Sequence, residues 1–253
     1  MNLSRQIATH LESLRAAGID FIPRGEPLVI QDAPLRVAAK QETRAAVPEQ
    51  PSIAAPIDDA ESRRTALAVL AKEIAPCNRC PELFATRTQT VFGVGPIDPQ
   101  ICFVGEAPGA DEDRTGEPFV GRAGQLLDKI IAGALKMKRS EVYICNTIKC
   151  RPPSNRVPSP TERSNCREYF EEQIALVRPK FIVCLGATAA QNVLGSTLSI
   201  GRLRGLVHRY KEIPVICTYH PSAILREEPD TVLRKACWED MKLLLGLMGR
   251  PVS

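Results

Sequence analysis

The chain has 253 residues, 44% hydrophobic and 25% charged, the balance of a soluble globular protein with room for one large core and appendages. No apolar run approaches the length of a membrane span, and the first eighteen residues carry charge where a signal peptide needs an apolar centre; a cytoplasmic monomer is expected. The net charge of +4 is uneven: residues 1–65 hold 8 Lys/Arg and 9 Asp/Glu, the remainder 25 and 20, which permits a nucleic-acid partner without demanding one.

In chain order, Leu3, Ile7, Leu11 and Leu14 repeat at helical spacing over residues 2–17, and Gly18 stops the helix. Residues 19–60 follow with six prolines and no sustained period, apart from a short apolar patch at Leu28, Val29 and Ile30. They read as a linker that offers the helix to its own chain or to a protein partner. Residues 1–60 thus form an appendage, and residues 61–253 the folded domain. Leu67, Leu70 and Ile74 predict a helix over 65–74, and Cys77 and Cys80 come next in a C-x-x-C pair.

An apolar run at 101–104 predicts a buried strand. It leads into a long loop from Gly105 to Gly124 (GEAPGADEDRTGEPFVGRAG), and a helix over about 122–138 follows. A second strand, Val142 to Cys145, runs into Asn146 and the stretch ending at Pro153. Ser159, Pro160 and Glu162 then open a helix with a capping box; it runs to about Val177 and carries Cys166. Strands at 181–185 and 214–218, a short helix ending near Gly195 and a last helix over about 230–247 complete the alternation. Strand and helix in alternation predict an α/β fold with a parallel sheet between helices.

Three strand ends carry unusual residues: the Gly105 loop, Asn146 and His220. Loops at the C-terminal ends of parallel strands meet in one crevice. Taken singly, Phe119 reads as a lid on the core, Asn146 as a turn former and His220 as a structural residue. Taken together they supply an aromatic face, an amide with one donor and one acceptor side, and a donor for developing negative charge. A flat heterocycle with an acceptor beside a donor fits. Uracil presents that pair through O4 and N3–H, whereas cytosine presents the reverse and would leave two groups mismatched.

Of nine cysteines, Cys102, Cys145, Cys184, Cys217 and Cys237 sit in or beside apolar runs and read as packing. Cys77, Cys80, Cys150 and Cys166 sit in polar or proline-rich surroundings; their spacing suits a four-thiolate site for either zinc or an iron–sulfur cluster. A basic surface is expected from Arg151 and Arg156, from Arg202, Arg204, His208 and Arg209, and from the segment Ser222 to Arg226. Ile224 and Leu225 are the apolar residues which that surface offers as a wedge to a nucleic-acid partner.

The stretch GEAPG with Glu112, Asp113 and the run Thr115 to Gly121 resembles the first motif of the family 4 uracil-DNA glycosylases. Asn146 to Pro153 resembles their second block, Tyr219 to Ser222 their last, and the four cysteines their cluster ligands. The resemblance covers about residues 65–247 and leaves the first 60 out. It implies a three-layer αβα sandwich around a four-stranded parallel sheet, and hydrolysis of the N-glycosidic bond of deoxyuridine in DNA during base-excision repair. It implies a [4Fe–4S] cluster on Cys77, Cys80, Cys150 and Cys166. Gly105, Glu106, Ala107 and Gly109 would line the pocket, Phe119 would stack on the flipped uracil, Asn146 would read its edge and His220 would support the leaving group. Where family 1 relatives place an aspartate for the attacking water this chain has Ala107, so Glu106 or Glu112 is expected to act there. Where they place a thymine-excluding tyrosine it has Gly109. Arg151, Arg204, Ser222, Leu225 and Arg226 are the expected DNA contacts. Two rivals stand beside this reading: a relative that captures uracil-containing DNA without turnover through a reactive histidine, and a metal-cluster DNA-binding accessory module of a replication protein.

Overall fold

The computed structural model describes residues 59–227 and 232–251. The expected helix at 2–17 and the linker as far as residue 58 lie outside that range. Helix α1 (Ala60–Ile74) opens where Asp59 accepts a hydrogen bond from the Ser62 amide at 2.8 Å, earlier than the apolar spacing alone suggests. Helix α2 (Pro81–Thr86) starts directly after Cys80, with Pro81 in its first turn.

Strand β1 (Ile101–Gly105), β2 (Tyr143–Asn146), β3 (Phe181–Leu185) and β5 (Ile213–Thr218) are parallel. The sheet order is β2-β1-β3-β5-β4, in which β4 (Val207–Tyr210) is an antiparallel edge strand paired with β5. The expected four-stranded parallel sheet is therefore present, extended by one strand. That strand falls in the stretch read from sequence as a basic surface run. An edge strand with one half-buried face carries Arg and His where a central strand needs an apolar run.

The strands alternate their side chains between two cores. Cys102, Val104, Cys145, Cys184 and Cys217 face one core, which includes Phe170 and Ile174 of α5 (Pro160–Val177). Ile101, Phe103, Ile144, Val183 and Ile216 face the other, with Leu127 and Ile131 of α4 (Arg122–Gly133) and Met241 and Leu244 of α9 (Val232–Leu247). This is a three-layer αβα arrangement, and all five cysteines expected in the core are buried. The capping box of α5 forms as read: the Glu162 amide donates to Ser159 Oγ at 3.2 Å, and the Ser159 amide donates to Glu162 Oε2 at 2.7 Å.

Two short helices fall where the sequence suggested loop. Helix α3 (Ala110–Thr115) has Asp111, Glu112 and Asp113 in its first turn and ends at Gly116, whose φ of 81° is left-handed. Helix α8 (Pro221–Ile224) follows His220 directly. Helices α6 (Ala187–Leu194) and α7 (Ile200–Leu203) connect β3 to β4.

Candidate active site

The chain reverses its lateral direction between β1 and β3, since β2 lies on one side of β1 and all later strands on the other. Such a switch point opens a crevice beyond the strand ends. There, Gly105 stands opposite Asn146. Pairing continues past both strands, with the Thr147 amide on the Gly105 carbonyl and the Ile148 amide on the Glu106 carbonyl, each at 3.0 Å. Thr147 Oγ1 also donates to the Glu106 carbonyl at 3.0 Å.

Gly105 is where the aromatic and the amide converge. A Cβ there would lie 2.3 Å from Asn146 Oδ1 and 2.6 Å from Phe119 Cζ, so only glycine fits between them. The Phe119 and His220 rings have centroids 5.6 Å apart and planes tilted by 34°. Gly186, with φ of 92°, backs onto His220 from the end of β3; a Cβ there would stand 3.0 Å from His220 Cβ. The structure thus brings Phe119, Asn146 and His220 to one place. Asn146 is only 2% exposed, and its Oδ1 is a buried acceptor with no donor. An enclosed acceptor without a partner is costly unless a ligand supplies the donor.

The tautomer of His220 follows from its neighbours. The Ser222 backbone amide donates to Nδ1 at 3.1 Å, and Ser222 Oγ lies 2.7 Å from the same nitrogen. A backbone N–H can only donate, so Nδ1 is the acceptor and the proton of the neutral ring sits on Nε2. Burial, with a smaller contribution from Arg226, lowers the imidazole pKa to about 4, while Glu112 opposes the shift. The ring is a neutral donor at physiological pH.

The two expected carboxylates differ. Glu112 Oε1 accepts from the Val120 amide at 3.0 Å and the Gly121 amide at 3.1 Å, and Oε2 accepts from the Gly109 amide at 3.0 Å. Both oxygens are committed to tying the loop together. Glu106 is instead raised above the ordinary carboxylate range by burial, against a hydrogen bond from Thr188. Gly109 has its reason here: a Cβ would press to 2.6 Å from Glu112 Oε2, so no tyrosine fits without breaking the Glu112 ties. Ala107 packs beside Leu83, Ile148, Cys150 and Cys166.

Sequence reasoning missed Gly124, Arg139 and Asp128. A Cβ on Gly124 would sit 1.8 Å from the Phe119 carbonyl oxygen, and Arg139 joins Asp128 to the Pro118 carbonyl at 2.7 and 2.6 Å. A glycine inside a helix hints at close backbone approach; nothing in the sequence points to the other two.

The expected DNA contacts divide. Leu225 is exposed whereas Ile224 is buried, so of the two only Leu225 reaches the surface. Arg226 is exposed beyond it, and Arg151 Nε donates to Asn155 Oδ1 at 2.9 Å. Ser222 holds His220. Arg204 is turned away from the expected surface role: its guanidinium binds the fully buried Asp240 at 3.0 and 3.1 Å, donates to the Ala236 carbonyl and lies over Tyr219. His208 Nε2 is bound to the Leu203 carbonyl at 2.7 Å on the edge strand.

Cys77, Cys80, Cys150 and Cys166 line one cavity with Arg87, Lys149, Asn165 and Tyr169. Donors already point at the sulfurs: Arg87 Nη1 at Cys150 Sγ, 2.9 Å, and Asn165 Nδ2 at Cys80 Sγ, 3.6 Å. Such N–H···S contacts suit thiolate ligands. Among the described residues no three His, Cys, Asp or Glu side chains stand close enough to hold a single ion.

Residues 92–242 match the family model of the uracil DNA glycosylase superfamily. The chain is 43% identical to a type-4 uracil-DNA glycosylase of Archaeoglobus fulgidus over 189 residues, 72% of this chain and 92% of that protein. It is 41% identical to one of Thermotoga maritima (72% and 94%) and 42% identical to one of Sulfurisphaera tokodaii (71% and 84%). A match of this extent means that the chain belongs to the uracil-DNA glycosylase superfamily, among its type-4 members.

Proposed function

We propose that the protein hydrolyses the N-glycosidic bond of deoxyuridine in DNA, releasing free uracil as a step of DNA repair. The observation that carries this reading is the buried, donorless Oδ1 of Asn146 beside the Phe119 ring. Uracil N3–H supplies the missing donor, and its O4 accepts from the amide nitrogen; cytosine offers neither. The nucleotide must leave the helix to reach this site, at a cost of a few kcal/mol. Leu225 fills the gap behind it, and Arg151 and Arg226 hold phosphates.

As the N1–C1′ bond breaks, its electron pair goes to the base and the sugar becomes cation-like. His220 Nε2–H donates to O2 of the departing uracil anion; one such oriented donor contributes on the order of 3 kcal/mol. Water then bonds to C1′ and gives up a proton. Glu106 is the carboxylate we assign to that water, because Glu112 has spent its oxygens on loop amides.

Cys77, Cys80, Cys150 and Cys166 would hold a [4Fe–4S] cluster, whose contribution when bound is to fix the segment before β1 to the loop after β2. The four cysteines line one cavity, and the resemblance of their order and spacing to the family's cluster ligands favours a cluster over one zinc ion. The purified protein is expected to be brown, with absorption near ~400 nm; a colourless, active preparation with stoichiometric zinc excludes the cluster.

One assay separates this reading from its rivals. A uracil-containing oligonucleotide is incubated with the protein and heated in alkali. Strand cleavage is expected. A stuck protein–DNA complex would identify the capturing relative, and neither outcome would leave the accessory module.

A further inference from the structure

Phe119 adopts φ of 55°, the left-handed region that a bulky side chain avoids. Something must hold it, because relaxing that angle would swing the ring away from Gly105. The torsions of a residue are set by the two peptide planes that flank it, and both planes here are gripped by an ion. Behind Phe119, Arg139 Nη2 donates to the Pro118 carbonyl at 2.6 Å. Ahead of it, Glu112 Oε1 takes the Val120 and Gly121 amides. Arg139 is itself fixed by Asp128 on α4, at 2.7 Å from Nη1. One guanidinium thus spans a helix and the loop with two different nitrogens, which a lysine could not do.

We infer that Arg139, held by Asp128, is a positioning residue that keeps the Phe119 ring in its stacking orientation, with Glu112 as the opposite jaw of the same clamp. The inference rests on the reading that Phe119 stacks on the extruded uracil. Neither Arg139 nor Asp128 touches the site; both act through the Pro118 carbonyl.

The test is a double-mutant cycle on single-turnover uracil excision, with Phe119→Ala, Arg139→Met and the pair. Arg139→Met is expected to slow excision about 10- to 100-fold, the size of a lost charge-assisted hydrogen bond. The pair is expected to be no slower than Phe119→Ala alone, because the clamp has nothing left to hold. A merely structural arginine would instead give additive losses. Additive losses, or wild-type rates in Arg139→Met beside an impaired Phe119→Ala, overturn the clamp and leave the stacking reading standing. Wild-type rates in Phe119→Ala overturn the stacking reading and the clamp with it. If circular dichroism shows Arg139→Met unfolded, the same cycle is run with Arg139→Lys, which keeps the charge but not the fork, and the same outcomes apply.

Discussion

Asn146 has a side chain whose acceptor is sealed from water and whose natural partner is absent from the protein itself. Exchanging that amide for a carboxyl changes which edge of a pyrimidine it satisfies. Asn146→Asp is expected to excise cytosine from single-stranded DNA at least ~10-fold faster than the wild type does, measured by release of labelled base; unchanged selectivity would mean another residue reads the edge. His220 sets a pH dependence. Its pKa falls from 6.5 to about 4 on folding, so the unfolded chain binds the extra proton between those values. The sign follows: the contribution of this ring to stability is complete above about pH 6.5 and is lost as pH drops toward 4. The partly exposed ring contributes on the order of 2 kcal/mol. Urea titrations at pH 7 and pH 4.5 are expected to differ less in His220→Gln than in the wild type. Asn146 and His220 were legible in the sequence because each stands just past an apolar run, and Phe119 because it is an aromatic in the glycine-rich loop that follows one, whereas Arg139 and Asp128 were not. Nothing in the sequence says that a guanidinium in a turn will reach a carbonyl 21 residues earlier.

The loop between β1 and α4 is organised by contacts that a linear reading cannot pair. The acidic run at Asp111–Asp113 lies in the stretch read as a long loop, yet it is the first turn of a helix, and two of its carboxylates cap backbone. Glu112 takes three amides, and Asp113 takes the Thr88 amide at 2.9 and 3.0 Å. The helix signals were present in Gly109, the acidic turn and Gly116, and the glycine-rich surroundings masked them. Gly124 closes this element from below. Gly124→Ala places a methyl group on the Phe119 carbonyl and is expected to cost about 1–3 kcal/mol of stability, read by thermal melting, together with most of the excision activity. Retention of both would mean that the loop does not sit on α4 as described.

The whole molecule follows the alternation of the sequence closely in its parallel strands, whose boundaries shift by a residue or so between reading and structure. The antiparallel edge strand escaped because its register partner, β5, supplies the order that its own residues do not advertise. The same edge changes the electrostatics of the surface. Arg204→Met removes the partner of the buried Asp240 and is expected to lower stability by about 3 kcal/mol or more, while the salt dependence of DNA binding stays as it is. Arg151→Ala is expected to do the reverse, reducing the slope of log affinity against log salt by about one and leaving stability unchanged. Measuring both slopes by fluorescence anisotropy separates an inward arginine from an outward one.

Between the strand end that carries Asn146 and the cysteine cavity lies Lys149, wholly enclosed. Its Nζ donates to the carbonyls of Phe92 at 3.2 Å and Asn146 at 2.8 Å and to Gln173 Oε1. Three acceptors hold the Nζ in place, and its full burial keeps reagents in solution away from it. Acylating reagents added to the native protein should therefore spare this amine and mark it only after denaturation. Its labelling would then act as a clock on how often the interior of the molecule opens to solvent.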